Sequence, residues 1–218
     1  MNLPKQIKCV IFDMDGVIIN SEEIHKKAYY ETFVSLGLNV SDELYKSFTG
    51  SSTINTFQRL ITHFKLDLNP EELVLDKRKR YVNFFENDPN LHLVNGVEEI
   101  IKHFYNNGIT LILASSSAMI NIDRVFNRFN LNQYFLAKIS GADLKESKPH
   151  PEIFEKAAVL ANIPKENCVI IEDSDNGITA ANKASIFVFG YNNVLSEGQT
   201  LENANAVIHN FSELKEFI

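Results

Sequence analysis

The sequence predicts an α/β protein with a doubly wound, Rossmann-like parallel sheet and an all-helical segment inserted after the first strand. Short apolar runs recur along the chain and amphipathic helical repeats separate them, which together predict the sheet. Residues 21–87 carry helical signals and no convincing strand, which predicts the insertion. The length of 218 residues suits one domain with a sizeable insertion.

The predicted strands are runs in which apolar residues follow one another without alternation. Such runs are typical of parallel strands that helices cover on both faces. Five candidates are clear, namely Cys9–Phe12, Thr110–Ala114, Ala137–Ile139, Val169–Ile171 and Ile186–Phe189. A sixth candidate, Ala206–Ile208, is weaker. Cys9 and Cys168 lie inside these apolar runs, so we expect buried, reduced thiols rather than metal ligands.

The predicted helices show apolar residues at helical spacing, and the clearest face is that of Ile153, Phe154, Ala157, Ala158 and Ala161. In the insertion, Ser21 followed by two glutamates predicts a helix start. Further helices are expected over 41–48, 53–65 and 70–86, with a core that contains Phe57, Phe64, Phe84 and Phe85. We therefore predict an α/β core of residues 1–20 and 95–218 and a helical domain of residues 21–94.

The charge balance limits the classes of partner. The chain has 21 Lys and Arg against 28 Asp and Glu, a net charge of −7 with neutral histidine. This excess of acid argues against a nucleic acid, whose phosphates need a basic face. No stretch approaches the ~18 apolar residues of a membrane span, and the N-terminus lacks the apolar segment of a signal peptide. We expect a cytoplasmic protein, by default a monomer, that binds neither nucleic acid nor membranes.

Residues suited to chemistry follow the ends of several predicted strands, where ligands bind in open α/β sheets. Asp13 and Asp15 follow the first strand, on the same side of the chain. Two such carboxylates repel each other unless a cation lies between them or one is protonated. Later strand ends and loops add Ser115, Ser116, Ser117, Lys148, Glu172 and Asp173. Carboxylate oxygens suit Mg²⁺, while lysine and serine suit phosphoryl oxygens.

Four motifs in order resemble those of the haloacid dehalogenase-like superfamily, over essentially the whole chain. They are D-x-D-G at Asp13–Gly16, a serine after an apolar strand at Ser115, S-K-P-x-P at Ser147–Pro151 and E-D-S-x-x-G at Glu172–Gly177. The position of the helical insertion resembles the cap domain of the subgroup that contains β-phosphoglucomutase and many sugar-phosphate phosphatases.

The resemblance implies a Mg²⁺-dependent phosphatase that hydrolyses a small phosphorylated metabolite, a sugar phosphate, through an aspartyl-phosphate. Asp13 would be the nucleophile, and Asp15 would protonate the leaving oxygen and then activate water. The implied phosphate-binding residues are Ser115, Ser116 and Lys148. The implied Mg²⁺ site comprises Asp13, the backbone carbonyl of Asp15, Asp173 and, through water, Glu172.

A sugar phosphomutase of the β-phosphoglucomutase type is the alternative, and residues of the insertion bear on it. His25 lies where the mutase and many phosphatases carry a histidine. Thr53 stands where the mutase has an arginine that would hold a second phosphate, which favours the phosphatase. Lys77 could supply a cation, but within the charged run 77–80 we expect it on a solvated helix face.

Other readings fit less well. A dehalogenase needs no acid such as Asp15, because a halide leaves without a proton. A phospho-accepting receiver domain lacks a helical insertion, and a catalytically silent relative is disfavoured because every motif residue is present.

Overall fold

The structure is a computed structural model that describes residues 2–48, 51–89, 91–193 and 198–217. Six parallel strands form a sheet in the order β3-β2-β1-β4-β5-β6. They are β1 (Cys9–Phe12), β2 (Thr110–Ser115), β3 (Ala137–Ser140), β4 (Cys168–Glu172), β5 (Phe187–Tyr191) and β6 (Ala206–Ile208). The predicted fold class, a doubly wound parallel sheet with flanking helices, is confirmed.

The described helices alternate with the strands after β2 and occur in a continuous group before it. Between β1 and β2 lie α1 (Glu22–Ser35), α2 (Asp42–Lys46), α3 (Thr53–Phe64), α4 (Pro70–Asn87) and α5 (Val97–Asn106). Later come α6 (Met119–Arg128), α7 (Glu152–Ala161) and α8 (Asp175–Ala184), with 3₁₀ turns at Gly141–Asp143, Lys165–Asn167 and Phe211–Phe217. None of the described helices combines the length and apolar character needed to span a bilayer.

The register of the central strands brings distant parts of the chain to one edge of the sheet. Phe12, the last residue of β1, lies beside Leu113 of β2 and Ile171 of β4. The chain order reverses at β1, since β2 and β3 lie to one side of it and β4 to β6 to the other. Such a switch point is where open α/β sheets bind ligands.

Alternate side chains of β1 enter two separate apolar clusters, as the two-residue period of a strand requires. Val10 and Phe12 face the cluster that contains residues of α5 and α6. Cys9 and Ile11 face the one that contains residues of α7 and α8. Cys9 lies beside Cys168 of β4, and both thiols are buried and unbridged, as expected.

The helical insertion has an apolar cluster of its own, but the C-terminal half of its last helix packs elsewhere. Phe57 lies inside the insertion's cluster and Phe64 packs against it, as predicted. The same expectation for Phe84 and Phe85 is wrong, because both pack with the cluster on the α5 and α6 side of the sheet. Helix α4 therefore joins the insertion to the sheet. The proposed division at residues 21 and 94 stays a prediction.

Candidate active site

A pocket opens at the carboxyl edge of the sheet, and two groups of residues line it. The ends of β2 and β4 and the loops after β1, β2 and β4 supply Asp13, Asp15, Ser115, Ser116, Ser117, Glu172, Asp173 and Ser174. The helical insertion supplies Glu22, His25, Tyr29, Tyr45, Phe48, Ser51, Thr53 and Thr56. The residues predicted for the site thus lie together in this pocket, except Lys148 and Lys77, which contact its lining residues Asp13 and His25.

The loop after β1 turns back on itself immediately beyond the two aspartates. The amides of Ile18 and Ile19 donate to the carbonyl oxygen of Met14 at 2.8 Å and 3.0 Å. Gly16 has a φ of 84°, a conformation that glycine adopts without the steric penalty of a side chain. The glycine of the first motif therefore allows the tight turn that presents both Asp13 and Asp15 to the pocket.

Lys148 lies buried between two carboxylates at the base of the pocket. Its ammonium donates to Asp13 Oδ1 at 2.5 Å, to Glu172 Oε1 at 2.8 Å and to the carbonyl oxygen of Ala114 at 3.0 Å. Burial opposes its charge, but Asp13 and Glu172 outweigh burial and hold the pKa of Lys148 well above its usual range. Burial raises the pKa of Asp13 to about 7, although Lys148 opposes the shift.

Glu172 fixes Lys148 from the side of β4. Its second oxygen accepts the amide of Ser174 at 2.7 Å and the hydroxyl of Ser174 at 2.9 Å. A Cβ added to Gly177 would lie 1.8 Å from Glu172 Oε1, so no side chain fits there. This contact explains the glycine of the fourth motif. Glu172, expected to reach Mg²⁺ through water, directly contacts Lys148 and Ser174.

Asp15 accepts hydrogen bonds at both of its oxygens. Ser21 and His25 Nε2 contact Oδ1, the latter at 3.2 Å, and the Ser117 hydroxyl donates to Oδ2 at 2.7 Å. Burial alone would raise the pKa of Asp15. The electrostatic pull and hydrogen bonds of these partners outweigh burial and hold the pKa well below its usual range. Asp15 is therefore ionised in this arrangement.

Lys77 lies behind His25 and not on a solvated face. Its side chain is 1% exposed, and its nitrogen lies 2.6 Å from His25 Nδ1 and 4.4 Å from the ring centre of Tyr29. The expectation of a solvated lysine is wrong because the face of α4 that bears Lys77, Tyr81 and Phe85 is buried. Burial lowers the pKa of Lys77 to about 7.

The donor set suits a hard divalent cation. Asp13 and Asp173, with the backbone carbonyl of Asp15, offer the oxygen ligands that Mg²⁺ prefers, and the neighbouring acids leave an excess of negative charge. Among the described residues, no three His, Cys, Asp or Glu side chains form a complete cation cluster. An ion here would need main-chain, water or substrate oxygens as well, which Mg²⁺ readily accepts.

Sequence reasoning missed the roles of two serines. Ser21 was expected to start a helix, and it does precede α1, but its hydroxyl contacts Asp15 and makes no capping bond. Ser117 was noted only as part of a hydroxyl run after β2. The one available signal was the presence of several hydroxyls beside an expected acid.

A model of the haloacid dehalogenase-like hydrolases matches residues 10–191. The chain belongs to this hydrolase family. The hydrolase is 28% identical over 206 residues to the phosphorylated carbohydrates phosphatase of Thermotoga maritima, covering 92% of this chain and 93% of that one. It is 31% identical over 192 residues to hexitol phosphatase B of Escherichia coli K12, covering 84% and 83%.

The hydrolase is also similar in structure to a sugar phosphomutase. The crystal structure of β-phosphoglucomutase from Clostridium difficile matches with a TM-score of 0.83 and 27% identity, covering 97% of this chain and 96% of that one. The predicted family, subgroup and assignment as an enzyme are therefore confirmed.

Proposed function

We propose that the protein is a Mg²⁺-dependent phosphatase that hydrolyses a small sugar phosphate through an aspartyl-phosphate on Asp13. The observation that carries the proposal is that two aspartates lie in one pocket but have pKa values shifted in opposite directions. Asp13 is neutralised by Lys148 at 2.5 Å, whereas Asp15 is ionised and accepts several hydrogen bonds. The names of the relatives from Thermotoga maritima and Escherichia coli support a phosphorylated carbohydrate as the substrate.

In the first step, an oxygen of Asp13 attacks phosphorus and the bond from phosphorus to the leaving oxygen breaks. Asp15, ionised in the free site, takes up a proton from solvent when the anionic phosphate binds beside it, because a neighbouring negative charge favours the protonated carboxyl. It then gives this proton to the leaving oxygen, which departs as an alcohol. Asp15 is now a carboxylate, the form that its hydrogen bonds favour. In the second step it takes a proton from water as the water oxygen attacks phosphorus. The bond between Asp13 and phosphorus breaks and phosphate leaves.

The remaining predicted residues have supporting roles in this proposal. Ser115, Ser116 and Lys148 would hold the phosphoryl oxygens. In this structure the ammonium group of Lys148 donates to Asp13, Glu172 and the carbonyl of Ala114, so it would share these hydrogens with the phosphate. Asp13, Asp173 and the carbonyl of Asp15 would hold Mg²⁺. The ion supplies positive charge that lets an anionic nucleophile approach an anionic phosphate.

We assign the helices of residues 21–94 the role of a cap over the pocket. Two hydrogen bonds link α3 and the residues before it to the third and fourth sequence motifs. Asn55 Nδ2 donates to Ser147 Oγ at 2.7 Å, and Asn176 Nδ2 donates to Ser51 Oγ at 3.4 Å. A cap held in this position would limit the access of bulk water to the phosphoryl group.

The decisive experiment is a panel of phosphorylated metabolites with Mg²⁺, assayed for phosphate release by the wild type and by Asp13→Asn. We expect the variant to fold normally, by circular dichroism, and to lose hydrolysis of all substrates, including an aryl phosphate. Unchanged turnover in Asp13→Asn would contradict the nucleophile assignment.

A sugar phosphomutase is the second candidate, favoured by the structural match to β-phosphoglucomutase. The two are separated by supplying β-glucose 1-phosphate with a sugar bisphosphate primer. Phosphate release is expected of a phosphatase. Formation of glucose 6-phosphate without comparable phosphate release would identify a mutase.

A further inference from the structure

The insertion's side of the pocket has an unusual balance of groups for a protein expected to bind an anion. Its lining combines hydroxyl groups and aromatic rings with a single carboxylate, that of Glu22, and His25. No Lys or Arg lines the pocket among the described residues, and none of the nine residues outside the described ranges is Lys or Arg. Lys77 lies behind His25, 1% exposed.

Glu22 lies in the part of the pocket where the leaving group of the substrate would bind. It is the first residue of α1, three positions before His25, and it lines the same pocket as Asp13 and Asp15. Its Oε1 accepts the hydroxyl of Tyr45 at 3.3 Å. Burial raises the pKa of Glu22, while His25 opposes the shift. A carboxylate in this position accepts hydrogen bonds from hydroxyl groups and repels other anions.

We propose that Glu22 selects substrates whose leaving group is neutral and polyhydroxylated, and that it excludes those with a second phosphate or a carboxylate. The inference rests on the proposed phosphatase function and narrows its substrate class to sugar or polyol monophosphates. Hydroxyls of the leaving group donate to Glu22 and exchange hydrogen bonds with Ser51, Thr53 and Thr56. A second anionic group would face Glu22 in a pocket where no Lys or Arg among the described residues lines the wall, which is selection by repulsion.

A cationic leaving group fits the pocket less well. The rings of Tyr29, Tyr45 and Phe48 together with Glu22 could attract a quaternary ammonium. Such a group, however, neither donates nor accepts hydrogen bonds with the hydroxyls that surround it, whereas a polyol does both. The hydroxyl-rich lining therefore favours a polyol over an ammonium.

The test compares kcat/KM of the full-length protein with Mg²⁺ for glucose 6-phosphate, sorbitol 6-phosphate, fructose 1,6-bisphosphate, 3-phosphoglycerate and phosphocholine. p-Nitrophenyl phosphate serves as the reference. We expect the better of the two hydroxylated monophosphates to exceed each charged competitor at least tenfold. Glu22→Gln is expected to lower kcat/KM for that substrate about tenfold to a hundredfold, because it weakens a hydrogen bond to a charged acceptor. Glu22→Gln should also reduce the difference in kcat/KM between that substrate and fructose 1,6-bisphosphate.

Glu23→Gln is the matched control, since it removes the same charge one residue away. Glu23 is exposed and faces Lys27 at 3.9 Å on the surface, so its kinetics should equal those of the wild type. Turnover of the bisphosphate or of phosphocholine equal to that of the best monophosphate would overturn the proposal. An equal proportional loss on p-nitrophenyl phosphate and the sugar phosphate in Glu22→Gln would also overturn it.

Calorimetry separates failure of this inference from failure of the phosphatase assignment. Binding of the same compounds to Asp13→Asn is measured with no turnover required. If the wild type hydrolyses nothing, including p-nitrophenyl phosphate, the phosphatase proposal fails. Tighter binding of the monophosphates than of the bisphosphate would still support selection by Glu22, and the reverse order would refute it.

Discussion

The side-chain nitrogen of Lys77 lies 2.6 Å from Nδ1 of His25, on the opposite edge of the ring from Asp15. In its ammonium form Lys77 only donates, so Nδ1 then accepts and Nε2 carries the hydrogen directed at Asp15. Lys77 thereby fixes both the tautomer and the orientation of a ring that contacts the proposed acid and base. We infer that Lys77 is a positioning residue that acts through His25.

Lys77→Met tests this role. The substitution keeps the apolar stem but removes the donor to His25, so the ring can adopt the tautomer that presents no hydrogen to Asp15. We expect kcat to fall about tenfold to a hundredfold, the loss of one hydrogen bond in a charged network, with a smaller change in KM. The pH profile of kcat should also shift, since the pKa of Asp15 depends on His25. Steady-state kinetics across pH 5–9 measure both.

The control for this variant is Lys79→Met, on an exposed face of the same helix. It should leave kcat and its pH profile unchanged. A Lys77→Met enzyme with wild-type kcat and pH profile would show that the contact between Lys77 and His25 has no bearing on the chemistry.

Lys77 also predicts a pH dependence of stability. In the unfolded chain it keeps its proton up to about pH 10.5, but in the folded protein, where burial dominates, its pKa is about 7. Between these values the unfolded state binds more protons, so this contribution makes the free energy of unfolding rise with pH. The cost of the buried lysine, on the order of a few kcal/mol, is full below pH 7 and disappears toward pH 10.5.

The wild type is therefore expected to gain stability relative to Lys77→Met as pH rises from 7 to 10. The difference between the two proteins isolates the lysine, because the other titrating groups are common to both. Urea unfolding at pH 7, 8.5 and 10 provides the measurement. Parallel stability curves would mean that Lys77 keeps an ordinary pKa in the folded protein.

The residues that follow the strands could be predicted from sequence because parallel strands dictate where their ends meet. Once β1, β2 and β4 are adjacent, Asp13, Ser115 and Glu172 must approach one another, whatever the details of packing. Gly177 could be recognised from the sequence as part of a motif, but the reason why a glycine is needed there could not. The reason is the 1.8 Å approach to Glu172, a property of packing between β4 and α8.

The sequence could not predict the burial of Lys77 or the use of Ser21. Lys77 stands in a run of four basic residues, and the face that α4 turns toward α1 is decided by packing that a local pattern does not contain. Ser21 can either cap α1 or donate to Asp15, and both are favourable for an isolated hydroxyl. The position of Asp15 decides between them, and that position depends on the turn after β1.

Asn193, which follows β5, carries the last prediction. Its buried side chain donates from Nδ2 to the carbonyl oxygen of Gly16 at 2.7 Å and to Asn20 Oδ1 at 3.2 Å. It thus ties the chain after β5 to the turn that presents Asp15. Asn193→Asp replaces the donor with a carboxylate that repels both acceptors, so the turn should shift. We expect kcat to fall at least tenfold and the free energy of unfolding to fall by about 1–3 kcal/mol. Kinetics and urea unfolding check these values.

Asn192→Asp is the control for Asn193→Asp, because Asn192 is exposed and its side chain contacts His209 on the surface. It should change neither quantity. Asn193→Ala distinguishes the loss of the two hydrogen bonds from the repulsion that a carboxylate adds, since alanine removes the donor without adding a charge. We expect it to lose less activity than Asn193→Asp, because it removes a donor from the carbonyl of Gly16 without placing a repelling charge there. If Asn193→Asp retains full kcat while its stability falls, Asn193 supports the fold without positioning Asp15.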